Sequence, residues 1–486
     1  MLTTPLAPEP NPTIEQAGAD AAATLGADFL FGVSTASYQI EGAVTEDGRG
    51  RSVWDDFCDR PGAIRDGSSG ATACDSYHRY PEDVALMSGL GVGAYRFSIA
   101  WPRIQPDGVG AVNPAGLDYY DRLVDALLAA GIAPAATLFH WDLPSALQER
   151  GGWLERDTAY RFAEYAGHVV DRLGDRVTMW MPVNEPNVVT TLGHATGIHA
   201  PGMTLGFGSL QVAHHLLLGH GLAVARLRAG GATQVGCANN HLPIWPASPD
   251  PADVGAAGIF DAIYNRFFIE PMLRGEYPDG MGAMLTGPVA EDLQTISVPL
   301  DFYGLNTYNP VRVGSPEGAV ATAVLGARPE VAAGTPAGMP FIQLPVDEYP
   351  HTAFDWPVVP AAMTQLLLDL TERYPGIPPI YITENGCSYP TSPGPDGTIE
   401  DVERVDFYAQ HLRAVGRARQ RGADVRGYFA WSLLDNFEWA EGYEQRFGLV
   451  WVDFGTFARS PKASYHWYAG LIAAVRAGSA AGDLTS

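Results

Sequence analysis

Two glutamates in similar sequence surroundings are the residues best suited to chemistry. Glu185 follows the apolar residues at 180–183, Glu384 follows those at 380–382, and each has an asparagine beside it. An ionisable carboxyl group at the edge of an apolar core is costly unless it is paired or used. One such group would suit a structural ion pair as well as catalysis, but two in the same setting favour catalysis.

Paired carboxyl groups are what the cleavage of a glycosidic bond requires. One must be protonated to give a proton to the departing oxygen, and the other must be ionised to attack or stabilise an oxocarbenium-like centre. Arg96 is the cation that we place at an interior strand position, so it is the natural partner to keep one glutamate ionised. Tryptophans that recur near these polar residues could pack on the C–H faces of a sugar, although each could equally fill core volume; they are Trp141, Trp356, Trp431 and Trp439.

The elements that must position these residues alternate between strands and helices. Eight short apolar runs, rich in β-branched or aromatic residues, are predicted as strands at 29–37, 94–101, 133–140, 177–185, 234–242, 301–308, 379–385 and 426–431. Helical periodicity lies between them, for example at 117–130, 160–173, 210–228, 360–374 and 402–421. This alternation predicts a single (β/α)8 TIM barrel with long βα loops. An open doubly wound sheet is the alternative, but no G-x-G-x-x-G follows the first strand.

The carboxyl ends of the predicted strands carry most of the polar side chains. In barrels of this kind the chemistry lies at that end. The residues found there are Gln39 after strand one, Arg96 in strand two, His140 and Trp141 at strand three, Asn184 and Glu185 at strand four, Asn306 and Tyr308 at strand six, Glu384 at strand seven, and Trp431, Glu438 and Trp439 at and after strand eight. We therefore expect these side chains to surround one site.

The chain is longer than a minimal barrel. It has 486 residues, whereas about 250 are typical of the fold, so the surplus must form loops. The clearest loop is predicted at 311–356, which is rich in Gly, Pro and Ala. We expect a flexible N-terminal arm at 1–26, the catalytic barrel at 27–475 and a flexible C-terminal tail at 476–486.

The composition narrows the choice of partners. The 55 acidic and 30 basic side chains give a net charge of −25, which disfavours binding to nucleic acid or to anionic membrane surfaces. No apolar stretch reaches the roughly 18 residues of a membrane span, and residues 1–26 lack the features of a secretory signal, so a cytoplasmic location is expected. The four cysteines, Cys58, Cys74, Cys237 and Cys387, do not have metal-binding spacing.

Seven motifs together resemble those of the family-one β-glycosidases, the β-glucosidase group of (β/α)8 hydrolases. They are FGVSTASYQIEG at 31–42, YRFSIAWPRI at 95–104, LFHWDLP at 138–144, NEP at 184–186, HAPG at 199–202, ITENG at 382–386 and WSLLDNFEW at 431–439. A lone NEP or ITENG would be weakly specific, but all seven occur in family order. The resemblance extends from residue 29 to residue 468.

The resemblance implies a retaining β-glucosidase that works by double displacement. It implies Glu185 as the acid/base and Glu384 as the nucleophile. The supporting residues are Asn184, which would hold the sugar 2-hydroxyl, and Arg96, Tyr308 and Asn306 around the nucleophile. The implied glycone-binding set is Gln39, His140, Trp431, Glu438 and Trp439, and the leaving-group side is implied at Trp356, Trp141, Val188 and Phe447.

The expected substrates are small-molecule β-D-glucosides, including cello-oligosaccharides, and β-galactosides or β-fucosides are also expected to be accepted. No metal or other cofactor is expected. Three other functions stay open on the sequence. A 6-phospho-β-glycosidase is one, although the charge of Glu438 would repel a 6-phosphate. A non-catalytic sugar-binding barrel is the second, although such proteins commonly lose one of the two carboxyl groups. A metal-dependent hydrolase is the third, although His140, His194 and His199 lie on different or loop elements.

Overall fold

Eight parallel strands form the centre of the protein. The computed structural model describes residues 12–316 and 339–478. The strands are β1 Leu30–Ser34, β2 Ala94–Ser98, β3 Ala133–Phe139, β4 Met179–Val183, β5 Asn239–Asn240, β6 Tyr303–Asn306, β7 Ile380–Asn385 and β8 Val425–Trp431. Hydrogen-bonded neighbours follow the order β4-β3-β2-β1-β8-β7-β6-β5. Bridges from Trp180 to Val235 and from Asn184 to Ala238 close the ring between β4 and the segment that leads into β5. The predicted (β/α)8 barrel is confirmed.

Strand five is much shorter than the run predicted at 234–242. Only Asn239 and Asn240 pair continuously with β6, whereas Val235, Gly236 and Ala238 make isolated bridges. A Cβ atom at Gly236 would lie 2.5 Å from the backbone oxygen of Phe302, so the two segments approach each other very closely there. The short pairing still delivers Asn240 to the carboxyl end of the barrel.

Helices pack around the barrel. The longer ones are α1 Ile14–Leu25, α2 Ser76–Leu90, α3 Pro114–Ala129, α4 Asp157–Leu173, α5 Leu210–Ala229, α6 Pro251–Asp261, α7 Phe267–Arg274, α8 Val289–Ile296, α9 Pro360–Arg373, α10 Val402–Gln420 and α11 Ala463–Ala477. Shorter helical segments lie at Ser37–Ile40, Val53–Cys58, Trp101–Ile104, Ser145–Gln148, Gly152–Leu154, Pro186–Val188, Val189–Thr196, Gly206–Ser209, Ala262–Arg266, Met281–Met284 and Trp439–Glu441.

The long helices are amphipathic, as helices on the outside of a barrel must be. In α4, Phe162, Val169 and Leu173 are buried while the opposite face is polar. Within residues 12–316 and 339–478, no helix has the length and apolar character needed to cross a membrane.

Part of the N-terminal segment that was expected to be a flexible arm is helical. From Ile14 to Leu25 it forms α1, with Thr13 and Gln16 as a capping box. The helix packs against α10, and Asp20 forms an ion pair with Arg413 at 2.8 Å. The helix has no clear apolar periodicity in the sequence because its buried stripe is largely alanine. At the other end, α11 extends to Ala477, and the expected tail from residue 479 onward lies outside the described residues.

The region predicted as one loop at 311–356 contains regular structure. Strands Val311–Gly314 and Ile342–Leu344 pair with each other, and the first also pairs with Ile244–Pro246. Residues 317–338 lie outside the described part of the chain. A second small hairpin joins Val450–Val452 to Arg459–Pro461.

Candidate active site

A cavity of about 1190 Å³ opens at the carboxyl ends of the barrel strands. The predicted residues that line it are His140, Trp141, Glu185, Val188, Tyr308, Trp356, Glu384, Trp431, Glu438, Trp439 and Phe447. The other four, Gln39, Arg96, Asn184 and Asn306, lie behind this wall and are hydrogen-bonded to its members. The structure therefore brings the whole predicted set to one place.

Glu384 is held from two sides. The guanidinium of Arg96 forms a buried ion pair with its Oε1, and the hydroxyl of Tyr308 donates to its Oε2 at 2.7 Å. Arg96 is in turn fixed by Thr137 at 3.1 Å and Asn184 at 2.6 Å. A cation and a hydroxyl donor therefore both contact this carboxyl group.

Asn184 lies between the hydrogen-bond partners of the two glutamates and orients His140. Its Oδ1 accepts from Arg96 and, at 3.1 Å, from Asn306, so its amide nitrogen must face His140 Nε2 at 3.0 Å. Burial, and then the charge of Arg96, hold the pKa of His140 well below its ordinary value. The ring is therefore neutral, accepts at Nε2 and carries its proton on Nδ1.

Glu185 has the opposite surroundings. Its Oε1 accepts from the amides of Asn306 at 2.8 Å and Asn240 at 3.0 Å, and both donors are neutral. Burial, and then the negative charge of Glu384, raise the pKa of Glu185 to about 8. Its backbone is left-handed, with φ 45° and ψ 61°, a conformation that a non-glycine residue adopts only when its surroundings enforce it. This carboxyl group is set to keep its proton at neutral pH.

Glu438 lies on the long segment that follows β8 and contacts Gln39. The amide nitrogen of Gln39 donates to Glu438 Oε2 at 3.2 Å and to Asn436 Oδ1 at 3.0 Å. Burial, and then the charge of Glu384, raise the pKa of Glu438 to about 8. Gln39 Oε1 and His140 Nδ1 are buried and make no hydrogen bond within the described residues. A buried polar atom without a partner is unfavourable, so both atoms are suited to bind hydroxyl groups.

Aromatic rings form the walls of the cavity. At the inner end, Trp439 packs on Trp141 with a centroid distance of 4.5 Å, and His140 stacks on Trp431 at 5.8 Å. At the outer end, Trp356 lies 5.2 Å from the ring of Tyr308 and 5.8 Å from that of Phe447. The inner end thus combines polar groups with flat rings, the combination that a pyranose requires.

Asn240 was not predicted, although it is one of the two amides that hold Glu185. The signal was present, because Asn239 and Asn240 are polar residues near the end of the fifth predicted strand, where the other predicted strands also carry polar residues. Thr137, which fixes Arg96, was also missed, since a threonine inside a buried strand has no distinguishing sequence feature. His194, which the sequence left open, is buried and its Nδ1 contacts the Val189 carbonyl at 2.9 Å.

Comparison with known proteins adds an independent result. The family model described as Glycosyl hydrolase family 1 matches residues 21–476. The thermostable beta-glucosidase B of Thermobispora bispora is 47% identical over 450 residues, which cover 91% of this chain and 89% of that protein. The bifunctional beta-D-glucosidase/beta-D-fucosidase of Bifidobacterium breve is 42% identical over 464 residues, covering 92% and 97%. The crystal structure of a psychrophilic beta-glucosidase from Micrococcus antarcticus superposes with a TM-score of 0.88 at 46% identity, covering 94% of this chain and 99% of that one.

Proposed function

Because this chain belongs to glycosyl hydrolase family 1, we propose that it is a β-glucosidase that removes terminal β-D-glucosyl residues with Glu384 as nucleophile and Glu185 as acid/base. The observation that carries these roles is the contrast between the two carboxyl groups. A guanidinium and a hydroxyl hold Glu384, whereas neutral amides hold Glu185 and burial raises its pKa to about 8. One group is thus ready to attack and the other to give a proton.

The reaction takes two displacements. Glu384 attacks the anomeric carbon while Glu185 protonates the departing oxygen, which breaks the glycosidic bond and forms a glycosyl ester on Glu384. Glu185, now ionised, takes a proton from water, and the oxygen of that water attacks the same carbon and releases Glu384. Both donors to Glu185 contact Oε1, so the proton is carried by Oε2, which has no hydrogen bond to any described residue.

The glycone is an unphosphorylated hexose in this proposal. Gln39 and Glu438 offer a bidentate partner for neighbouring hydroxyl groups, and the neutral His140 offers its Nδ1–H. The Bifidobacterium breve relative is named for both β-D-glucosidase and β-D-fucosidase activity. We extend this dual acceptance to the present chain, with β-galactosides and cello-oligosaccharides as further substrates.

The test is a comparison of nitrophenyl glycosides. We expect kcat/KM for 4-nitrophenyl β-glucoside to exceed that for its 6-phosphate by about 100-fold or more, because a phosphate dianion would lose its hydration in this cavity and would lie near the proposed nucleophile Glu384. NMR of the first-formed sugar should show β-glucose before mutarotation. Faster hydrolysis of the 6-phosphate would identify a phospho-glycosidase, and no turnover of any glycoside would favour a sugar-binding barrel.

The pH dependence of kcat/KM should have its basic limb near pH 8. Glu185 must be protonated to act as an acid, and its pKa is raised to about 8, so activity is present below that pH and is lost as the pH rises through it. Initial rates of 4-nitrophenyl β-glucoside hydrolysis between pH 5 and pH 10 would measure the limb, with stability at each pH checked by return to pH 7. A basic limb at pH 5 or below would contradict the assignment.

A further inference from the structure

A buried arginine outside the cavity joins the loops that form it. Arg404 lies in the first turn of α10, and neither its side chain nor that of its partner Asp401 has solvent-exposed area. Its terminal nitrogens donate to four backbone carbonyls, those of Cys387, of Tyr389 at 3.4 Å, of Arg446 at 2.9 Å and of Phe447 at 3.2 Å. Two of these belong to the segment after β7 and two to the segment after β8.

Asp401 fixes the direction in which Arg404 points. Its Oδ2 accepts from Arg404 Nε at 2.8 Å and from Ser464 Oγ at 2.6 Å, and its Oδ1 accepts from the Ser464 backbone nitrogen at 2.8 Å. The carboxylate therefore anchors the guanidinium to the start of α11. Because Nε is engaged there, the two terminal nitrogens are left to face the loops.

The four carbonyls lie next to the groups that the proposed mechanism uses. Cys387 follows Glu384 by three residues, and Phe447 lines the cavity. The Phe447 carbonyl also accepts from the Ser432 nitrogen at 3.3 Å, directly after Trp431. Arg404 thus contacts the segment of the nucleophile and the segment of the sugar-binding wall at once.

The same junction includes the loop that carries Trp356. Ser388 donates from Oγ to Gln445 at 2.6 Å, and its carbonyl accepts from the Ala353 nitrogen at 2.9 Å. The backbone directly after β7 also approaches the end of β8 very closely, since a Cβ atom at Gly386 would lie 1.8 Å from the backbone oxygen of Trp431. Three loops that shape the cavity therefore meet where Arg404 donates, and a shift of one must move the others.

We propose that Arg404 is a positioning residue that sets the location of Glu384 relative to the wall formed by Trp431, Glu438 and Phe447. The inference rests on the proposed function, because it gives Glu384 the role of nucleophile. Only a guanidinium can serve Asp401 and two pairs of carbonyls together; a lysine ammonium has three donors and no planar fork. Misplacement of about 1 Å between reacting groups can lower a rate about 100-fold.

The test compares Arg404→Lys with a matched control. Arg459→Lys also replaces a buried guanidinium that donates to a carboxylate, Asp83 at 2.9 Å, and to a carbonyl, Phe457 at 2.7 Å, and Arg459 does not line the cavity. For Arg404→Lys we expect kcat to fall about 10- to 100-fold with KM within about threefold, whereas Arg459→Lys keeps kcat within about twofold. Thermal melts would show how much stability each variant loses.

Ser388→Ala provides a second route, which decides the matter if Arg404→Lys does not fold. This substitution removes the Ser388 hydroxyl, which belongs to the loops that Arg404 contacts. It should lower kcat by about three- to tenfold with KM little changed. Wild-type kcat in Ser388→Ala, or in folded Arg404→Lys, would overturn the proposal, as would an equal loss of kcat in Arg459→Lys.

A mechanism-based label separates this proposal from the proposed function. Wild-type protein treated with a 2-deoxy-2-fluoro-β-glucoside carrying a dinitrophenyl leaving group should be labelled on Glu384, as located by peptide mass spectrometry. Labelling elsewhere would reject the nucleophile assignment, whatever Arg404 does. Labelling on Glu384 that is as fast in Arg404→Lys as in wild type would reject the positioning role alone.

Discussion

Glu384→Gly is expected to lower kcat for aryl β-glucosides by about 10⁵-fold or more, since removal of a nucleophile from an enzyme that forms a covalent intermediate costs on the order of 10⁶-fold. No neighbouring carboxyl group can replace it. Glu185 and Glu438 are engaged in their own positions, the first by two neutral amides and the second by Gln39. The variant should still fold, because Arg96 retains Thr137 and Asn184 as partners, and this is checked by circular dichroism and a thermal melt.

Azide provides a positive control for this variant. A small anion that enters the space of the missing carboxylate should restore cleavage of dinitrophenyl β-glucoside, and the product should be α-glucosyl azide because a single displacement inverts the anomeric carbon. Kinetics with and without azide and NMR of the product would measure both effects. Turnover within about 100-fold of wild type in the absence of azide would reject Glu384 as the nucleophile.

Glu185→Ala should divide substrates by their leaving groups. For a poor leaving group, such as the second glucose of cellobiose, kcat/KM should fall by about 10³- to 10⁴-fold, near the upper end of what general acid catalysis contributes. For a dinitrophenyl leaving group, which needs no proton, kcat/KM should fall less than about tenfold. That substrate's profile should lose the part of the basic limb near pH 8 that Glu185 contributes, because a group whose pKa is raised to about 8 has been removed.

Azide again distinguishes the two roles. In Glu185→Ala the glycosyl ester still forms on Glu384, so azide attacks it in a second inversion and gives β-glucosyl azide. The conservative variant Glu185→Gln keeps an acceptor for Asn240 and Asn306 but has no proton to give, and should behave like the alanine variant towards cellobiose. An α-azide product, or an equal loss of kcat/KM for both leaving groups, would show that Glu185 is not the acid/base.

The barrel and most of the site could be predicted because both depend on local signals. A strand buried on both faces is a continuous apolar run. A polar residue that interrupts the end of such a run, as Glu384 does near the end of β7, is recognisable from the sequence alone. The N-terminal helix could have been predicted from Thr13 and Gln16, whose spacing is that of a capping box. Its alanine stripe concealed it.

Other features depend on contacts that no local pattern encodes. Strand five pairs through only two consecutive residues, so its boundaries are set by the neighbouring strand rather than by its own apolar run. Arg404 lies on a helix with polar neighbours and resembles a solvated arginine in the sequence. Only the closure of the barrel brings it beneath segments 17 and 43 residues away, at Cys387 and Phe447.

The two amides that donate to Glu185 Oε1 affect the reorganisation energy when Glu185 changes from acid to base during the reaction. Asn306 uses both hydrogens of its nitrogen, one towards Asn184 and one towards Glu185, and its own oxygen is held by Thr383 at 2.6 Å. These hydrogen bonds to Oε1 are the same whether Oε2 carries a proton or not. Glu185 can therefore alternate between donor and acceptor without reorienting, and the reorganisation energy between the two half-reactions is kept low because the dipoles are already in place.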